Sequence, residues 1–201
     1  MKIISPEVYD FVADHSFLLI WGFKRKTPRL LNYSRIFNMN IKTANILFVC
    51  TGNICRSPFA HAFMTKLVHQ KQLRDIIVES AGLLALPGNS ATHMAQRVAE
   101  DFGVDLAEHK AKSVSKELVA WSSLILVMEK SQQDTLLTDF PEAEGKTQLI
   151  RHFARFGSKR RGIADPYGLK YDAYRFCFLD IEDAVLGLID FLTPSPDKPE
   201  K

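Results

Sequence analysis

The sequence predicts an α/β fold: a three-layer sandwich with a central four-stranded parallel sheet and helices on both faces. Two observations predict it. From Ala44 onward, short apolar runs suited to strands buried on both faces alternate with stretches whose apolar residues recur at helical spacing. That alternation is the pattern of parallel strands joined by helical crossovers.

The elements follow in order. ANILFVC (44–50) is the first strand. After a turn, Ser57 with Pro58 at the first helical position opens a helix, and Phe59, Ala62, Phe63 and Leu67 give it an apolar face as far as about Lys71. DIIVES (75–80) is the second strand. Ser90 is placed to cap the next helix, which carries Val98, Ala99 and Phe102 and ends at Gly103. Ser115 caps a short helix to Trp121, and SLILVME (123–129) is a third buried strand. Ser131–Leu137 reads as a helix, KTQLI (146–150) as a weaker fourth strand, and Asp172–Leu192 as the closing helix.

Residues 44–192 therefore make one domain with room for a proper core. Residues 1–43 do not continue the pattern, holding scattered aromatics and the basic stretch KRKTPR. They are expected to be a poorly ordered extension, or to precede a native start at Met39. A membrane-surface anchor is the less favoured reading, because FLLIWGF (17–23) is short. The tail 193–201, with its alternating prolines, is expected to be flexible.

Composition narrows the function classes. A net charge of +3 from 26 basic and 23 acidic residues is too balanced to suggest non-specific nucleic-acid binding. No stretch reaches the roughly 18 consecutive apolar residues of a membrane helix, and FLLIWGF has no basic residues crowded before it as a signal peptide would. No nucleic-acid partner and no stable membrane insertion are expected. Three cysteines are too few for a disulfide framework, which points to a reducing, cytoplasmic setting. The six histidines show no metal-ligand spacing with cysteines or carboxylates, so neither metal nor other cofactor is expected.

Two of the three cysteines, Cys50 and Cys55, fall in VCTGNICRSP (49–58), at the carboxyl end of the first strand. Open parallel sheets bind ligands there. A loop entering a helix N-terminus turns backbone N–H groups inward and adds the positive end of the helix dipole, a setting for an anion. Gly52 is expected to supply a positive φ, and Asn53 tolerates the left-handed conformation. Arg56 offers a planar fork for two phosphate oxygens. Cys50, in the same field, is the candidate nucleophile, with Ser57 placed to donate a hydrogen bond to its sulfur. The plainer reading is a buried cysteine at a strand end beside a tight turn.

CTGNICRSP also resembles the signature loop of the low-molecular-weight protein tyrosine phosphatases, and the likeness runs from residue 44 to about 192. The resemblance implies a flavodoxin-like sheet of the phosphotyrosine phosphatase type. It implies that Cys50 attacks phosphorus, that Arg56 clamps the phosphate, and that Thr51, Gly52, Asn53, Ile54, Cys55 and Ser57 form the binding loop. Cys55 would be the neighbouring thiol able to form a protective disulfide with Cys50 under oxidation, or a residue that simply packs the loop. In IADPYG, Asp165 alone would read as a turn opener. The family's Asp-Pro-aromatic stretch makes it the general acid, with Tyr167 on the cleft wall. Many relatives carry a second aromatic next, where this chain has Gly168. Asn53, Ser80 and His109 resemble the family's hydrogen-bond network behind the loop. Taken alone, Ser80 reads as a strand-end turn residue and His109 as a surface histidine. The chain departs from the usual pattern at Lys112, commonly arginine, and at His61, commonly an acid.

Within the family, ESAGLLALPG, LVMEKS and RRGIADPYG most resemble bacterial enzymes paired with tyrosine autokinases of capsule and exopolysaccharide export. The implied substrate is a phosphotyrosine protein, an autophosphorylating bacterial tyrosine kinase. Leu86 would then sit at the cleft rim, or serve in the core or a turn. The basic run SKRRG (158–162) either draws in phosphotyrosine clusters or is a solvated loop. Three other functions share the loop. Phosphoarginine hydrolysis is one, though relatives with that activity tend to have threonine where Ile54 stands. Arsenate reduction needs a further cysteine pair, and this chain has only Cys177. A phosphotyrosine-binding module without turnover would not need both Cys50 and Asp165.

Overall fold

Four consecutive residues, Ile46 to Val49, are fully buried in β1 (Ala44–Cys50). A strand so apolar needs cover on both faces, and it lies inside the sheet. The computed structural model describes residues 44–193; the expectations for residues 1–43 and for the tail beyond Thr193 lie outside the described residues. β2 (Ile76–Gly82) and β3 (Leu124–Val127) flank β1, and β4 (Thr147–Leu149) pairs with β3, all parallel, in the order β2-β1-β3-β4. The architecture is the three-layer α/β sandwich expected.

Alternation along β1 distributes the core. Ile46, Phe48 and Cys50 face the cluster built with α1 (Arg56–Gln70), α2 (His93–Glu100) and α5 (Tyr171–Leu192). Leu47 and Val49 face the smaller cluster under α3 (Lys116–Trp121) and α4 (Lys130–Asp139). Phe59 of α1 and Phe178 of α5 stack with ring centroids 3.9 Å apart, joining the two long helices. Gly187 lets α5 press against a short 3-10 turn, Ile150–Phe153: a Cβ there would lie 1.9 Å from the Phe153 carbonyl oxygen. Among the described residues, no helix is long and apolar enough to cross a membrane.

Four helix starts differ from expectation, that of α5 only in falling at Tyr171 and not Asp172. α1 begins at Arg56, so Pro58 is its third residue and not its first; the loop curls directly into the helix and places Arg56 and Ser57 in its first turn. α2 is capped by Thr92, not Ser90: the Thr92 hydroxyl accepts from the Ala95 amide at 3.1 Å, while its own N–H donates to the Ile54 carbonyl. The helix start is thereby tied to the loop after β1. α4 begins at Lys130 behind a capping box of Glu129 and Gln132.

Candidate active site

The turn after β1 folds around one buried amide. Asn53 is fully buried and adopts φ +53°, so the left-handed residue is Asn53 and not Gly52 as expected. Its Nδ2 donates to Ser57 Oγ (2.8 Å) and Ser80 Oγ (3.0 Å), and its Oδ1 accepts from the Lys112 amide (3.0 Å). Its carbonyl accepts from His109 Nε2 at 2.8 Å, which fixes the proton of that imidazole on Nε2. One asparagine thus joins β1, α1, β2 and the segment before α3. A short side chain bonded locally offsets the left-handed backbone, which costs roughly 1–2 kcal/mol in other residues. Burial pushes the His109 pKa below its ordinary value, opposed by the bond to Asn53.

Gly82 governs how closely β2 approaches this turn. A Cβ there would lie 2.7 Å from the Thr51 carbonyl oxygen, 2.8 Å from the Asn53 nitrogen and 2.9 Å from the Gly52 carbonyl carbon. All three are backbone atoms and cannot rotate away. This glycine, in ESAG, was not singled out from the sequence.

Cys50 is 3% exposed, with its Sγ 3.3 Å from the Asn53 amide, which donates to it, and 3.0 Å from Ser57 Oγ. Ser57 has one hydroxyl proton and two acceptors within reach, the sulfur and the Ala81 carbonyl at 3.3 Å. When the sulfur is a thiolate, that proton belongs to it. Cys55 is also buried, its Sγ 3.4 Å from Thr92 Oγ1 and 3.5 Å from the Tyr174 hydroxyl, and burial pushes its pKa up. Cys50, Cys55 and Cys177 are all free thiols.

Arg56 is a buried cation whose side chain is 1% exposed. Its Nη1 donates to Glu129 and to the Ile163 carbonyl (3.0 Å), and its Nη2 donates to Asp165 Oδ2. Burial opposes its charge, but Glu129, then Asp165 and Cys50, more than offset this and raise its pKa above the usual arginine value. Glu129 is held in turn by Gln132, whose Oε1 accepts from the Met128 and Glu129 amides and whose Nε2 donates to Thr51 Oγ1. Asp165 accepts from the Tyr167 amide through its other oxygen at 3.2 Å.

These groups converge on a cleft of about 190 Å³ lined by Cys50, Thr51, Gly52, Ile54, Cys55, Arg56, Asp165 and Tyr167. Asn53, Ser57 and Ser80 lie wholly buried beneath it. Leu86 is not among the lining residues; it is 69% exposed, and its carbonyl accepts from Asn89 in a turn. Glu129, Gln132, Gly82, Thr92 and Tyr174 belong to this assembly and were missed. The motif LVMEKS held the signal for one of them, Glu129, since a carboxylate directly after a buried strand stands where a parallel sheet presents its ligands.

Residues 45–195 match the low molecular weight phosphotyrosine protein phosphatase family. The chain belongs to that family. Among curated relatives, the protein-arginine-phosphatase of Geobacillus stearothermophilus is 36% identical over 147 residues, 73% of this chain and 95% of that protein. The low molecular weight protein-tyrosine-phosphatase Wzb of Escherichia coli K12 is 40% identical over 123 residues, 61% of this chain and 78% of Wzb. Among solved structures, the tyrosine phosphatase Wzb from Escherichia coli K30 in complex with sulphate superposes with a TM-score of 0.67 at 33% identity, covering 75% of this chain and 99% of that one. As a low molecular weight phosphatase, the chain belongs to a family of hydrolases whose sheet and helices it shares.

Proposed function

We propose that the protein hydrolyses phosphotyrosine in proteins through a cysteinyl-phosphate intermediate. One observation carries the reading: Cys50, Arg56 and Asp165 line the same cleft, although Asp165 and Arg56 are 109 residues apart in sequence. The nucleophile, the phosphate clamp and the general acid are thereby within reach of one phosphoryl group.

The Asp165 carboxylate accepts from Nη2 of Arg56. Phosphate oxygens take its place on the guanidinium, and the released carboxyl takes up a proton and turns to the ester oxygen. The Cys50 thiolate then forms a bond to phosphorus as the P–O ester bond breaks, and Asp165 gives its proton to the departing tyrosyl oxygen. In the second step Asp165 takes a proton from water, the water oxygen attacks phosphorus, and the S–P bond breaks to return the thiolate. The α1 N-terminus and Arg56 stabilise the charge that gathers on the phosphoryl oxygens. Asn53, Ser80 and His109 hold the loop in shape.

Phosphoarginine is the second reading, favoured by the likeness to the Geobacillus stearothermophilus protein-arginine-phosphatase. The walls here, Ile54 and Tyr167, are apolar and suit a flat aromatic ring better than a guanidinium, which carries donors to satisfy. The likeness to Wzb, a protein-tyrosine-phosphatase, supports phosphotyrosine as the substrate. An autophosphorylating bacterial tyrosine kinase of polysaccharide export, met in the cytoplasm, is the phosphoprotein proposed from the resemblance of ESAGLLALPG, LVMEKS and RRGIADPYG. The test is phosphate release, without added metal, from matched peptides phosphorylated on tyrosine, arginine or serine. A kcat/KM for phosphotyrosine at least about tenfold above phosphoarginine, or about 1.4 kcal/mol in transition-state binding, supports the reading. The reverse order overturns it in favour of phosphoarginine.

A further inference from the structure

The charges at the cleft do not by themselves attract a dianion from a distance. Among the described residues lining it, Arg56 is the one cation, already faced by Glu129 and Asp165, and a Cys50 thiolate adds a third negative charge. Backbone N–H groups act only at hydrogen-bond range, whereas full charges steer a ligand across about a Debye length, ~10 Å at 0.1 M salt. The attraction has to come from the rim.

Lys159, Arg160 and Arg161 stand six to four residues before Asp165, a lining residue of the cleft. All three are exposed, and among the described residues none forms an ion pair. The arginines just before them are engaged: Arg151 pairs with Asp180 at 2.5 Å and Arg155 with Asp190 at 2.7 Å. The run is also held in place at both ends. Arg151 Nε donates to the Ser158 carbonyl at 3.2 Å, and the Ile163 amide donates to the Met128 carbonyl at 2.8 Å. Ile163 is the residue whose carbonyl receives Arg56 Nη1. Two residues of chain span at most about 7 Å, so Arg161 is anchored within that distance of a residue bonded to the phosphate clamp.

We infer that Lys159–Arg161 is a docking site for a second anionic group of the substrate, so that the preferred substrate is a phosphotyrosine flanked by further negative charge. This rests on the phosphatase reading above and names the class of peptide that reading left open. A second phosphotyrosine and a pair of glutamates offer the same chemistry to these side chains.

Three peptides of equal length test it: one phosphotyrosine among neutral residues, one flanked by glutamates on both sides, and one beside a second phosphotyrosine. The readout is the peptide kcat/KM divided by that for p-nitrophenyl phosphate, in the full chain and in its K159Q/R160Q/R161Q variant, at low and high salt. The expected result is a ratio about tenfold higher for anionic than for neutral peptides at ~50 mM salt, shrinking towards one at ~0.5 M salt and in the triple variant. A gain with both anionic peptides assigns a charge-reading rim. A gain with the doubly phosphorylated peptide alone assigns a phosphate-reading one. Equal ratios for all peptides, or a gain that survives in the variant, overturn the inference while normal p-nitrophenyl phosphate turnover leaves the phosphatase reading standing. Absence of that turnover overturns both.

Discussion

The Glu129 carboxylate accepts from Nη1 of Arg56, so the proposed phosphate clamp is oriented by a residue 73 positions away, just past the end of β3. Replacing it removes one charge-assisted hydrogen bond, worth about 1.5–3 kcal/mol. Glu129→Ala is expected to lower kcat/KM for p-nitrophenyl phosphate by roughly 10- to 100-fold. Glu129→Gln, which keeps an acceptor for Nη1 but loses the charge, should retain more of it. Circular dichroism that matches the parent would separate lost orientation from lost fold.

Asp165 is expected to matter more for proton transfer than for binding. Asp165→Asn should lower kcat by about 10²- to 10⁴-fold while phospho-enzyme still forms. Acid-quenched mass spectrometry would show the added phosphoryl group on the Cys50 peptide. Cys50→Ser should abolish turnover altogether; a Cys50→Ser protein that turned over substrate would remove the nucleophile assignment.

Gly82→Ala places a methyl group against the backbone of Thr51, Gly52 and Asn53. Because those atoms can move only together with the loop, the substitution should cost about 1–3 kcal/mol of stability and distort the cradle. Urea unfolding should show the loss, and activity under folding conditions should fall by more than the fraction unfolded.

Acid should weaken the domain through two half-buried imidazoles. Burial lowers the pKa of both His61 and His109. The unfolded chain therefore binds protons first as pH falls below the ordinary histidine value of about 6.5. Their contribution is fully present at neutral pH and is lost from that point down to the folded-state pKa values. His109 keeps its Nε2 donor in either form, so protonation adds only a charge near Lys112 and Lys110. Unfolding midpoints at pH 7.5 and 5.5 should differ more in the parent than in a His61→Gln/His109→Gln double variant.

The layers of the fold were legible because β1 and β3 are apolar at every core position, a pattern that strands covered on both faces need, and because helical spacing separates them. The loop was legible because the residues it uses lie within ten positions of one another. Helix starts were less so: Ser90 and Thr92 are both competent caps, and only the bond from the Thr92 amide to Ile54, a tertiary contact, decides between them. Glu129 and Gly82 escaped notice for a related reason. The place of Glu129 just after a buried strand marks the ligand end of the sheet, but nothing local says that an arginine will come to rest against it, or a foreign backbone segment against Gly82. The shift of the left-handed residue from Gly52 to Asn53 follows from the side-chain network, which rewards an amide in that conformation more than it rewards freedom from a Cβ.

The Arg56 guanidinium closes ties to Glu129, Ile163 and Asp165, across 73, 107 and 109 residues of chain. Such ties exist only once every crossover of the sheet has been completed. Loss of turnover during denaturation should accordingly coincide with collapse of the whole domain, with no truncated or half-formed species retaining catalysis.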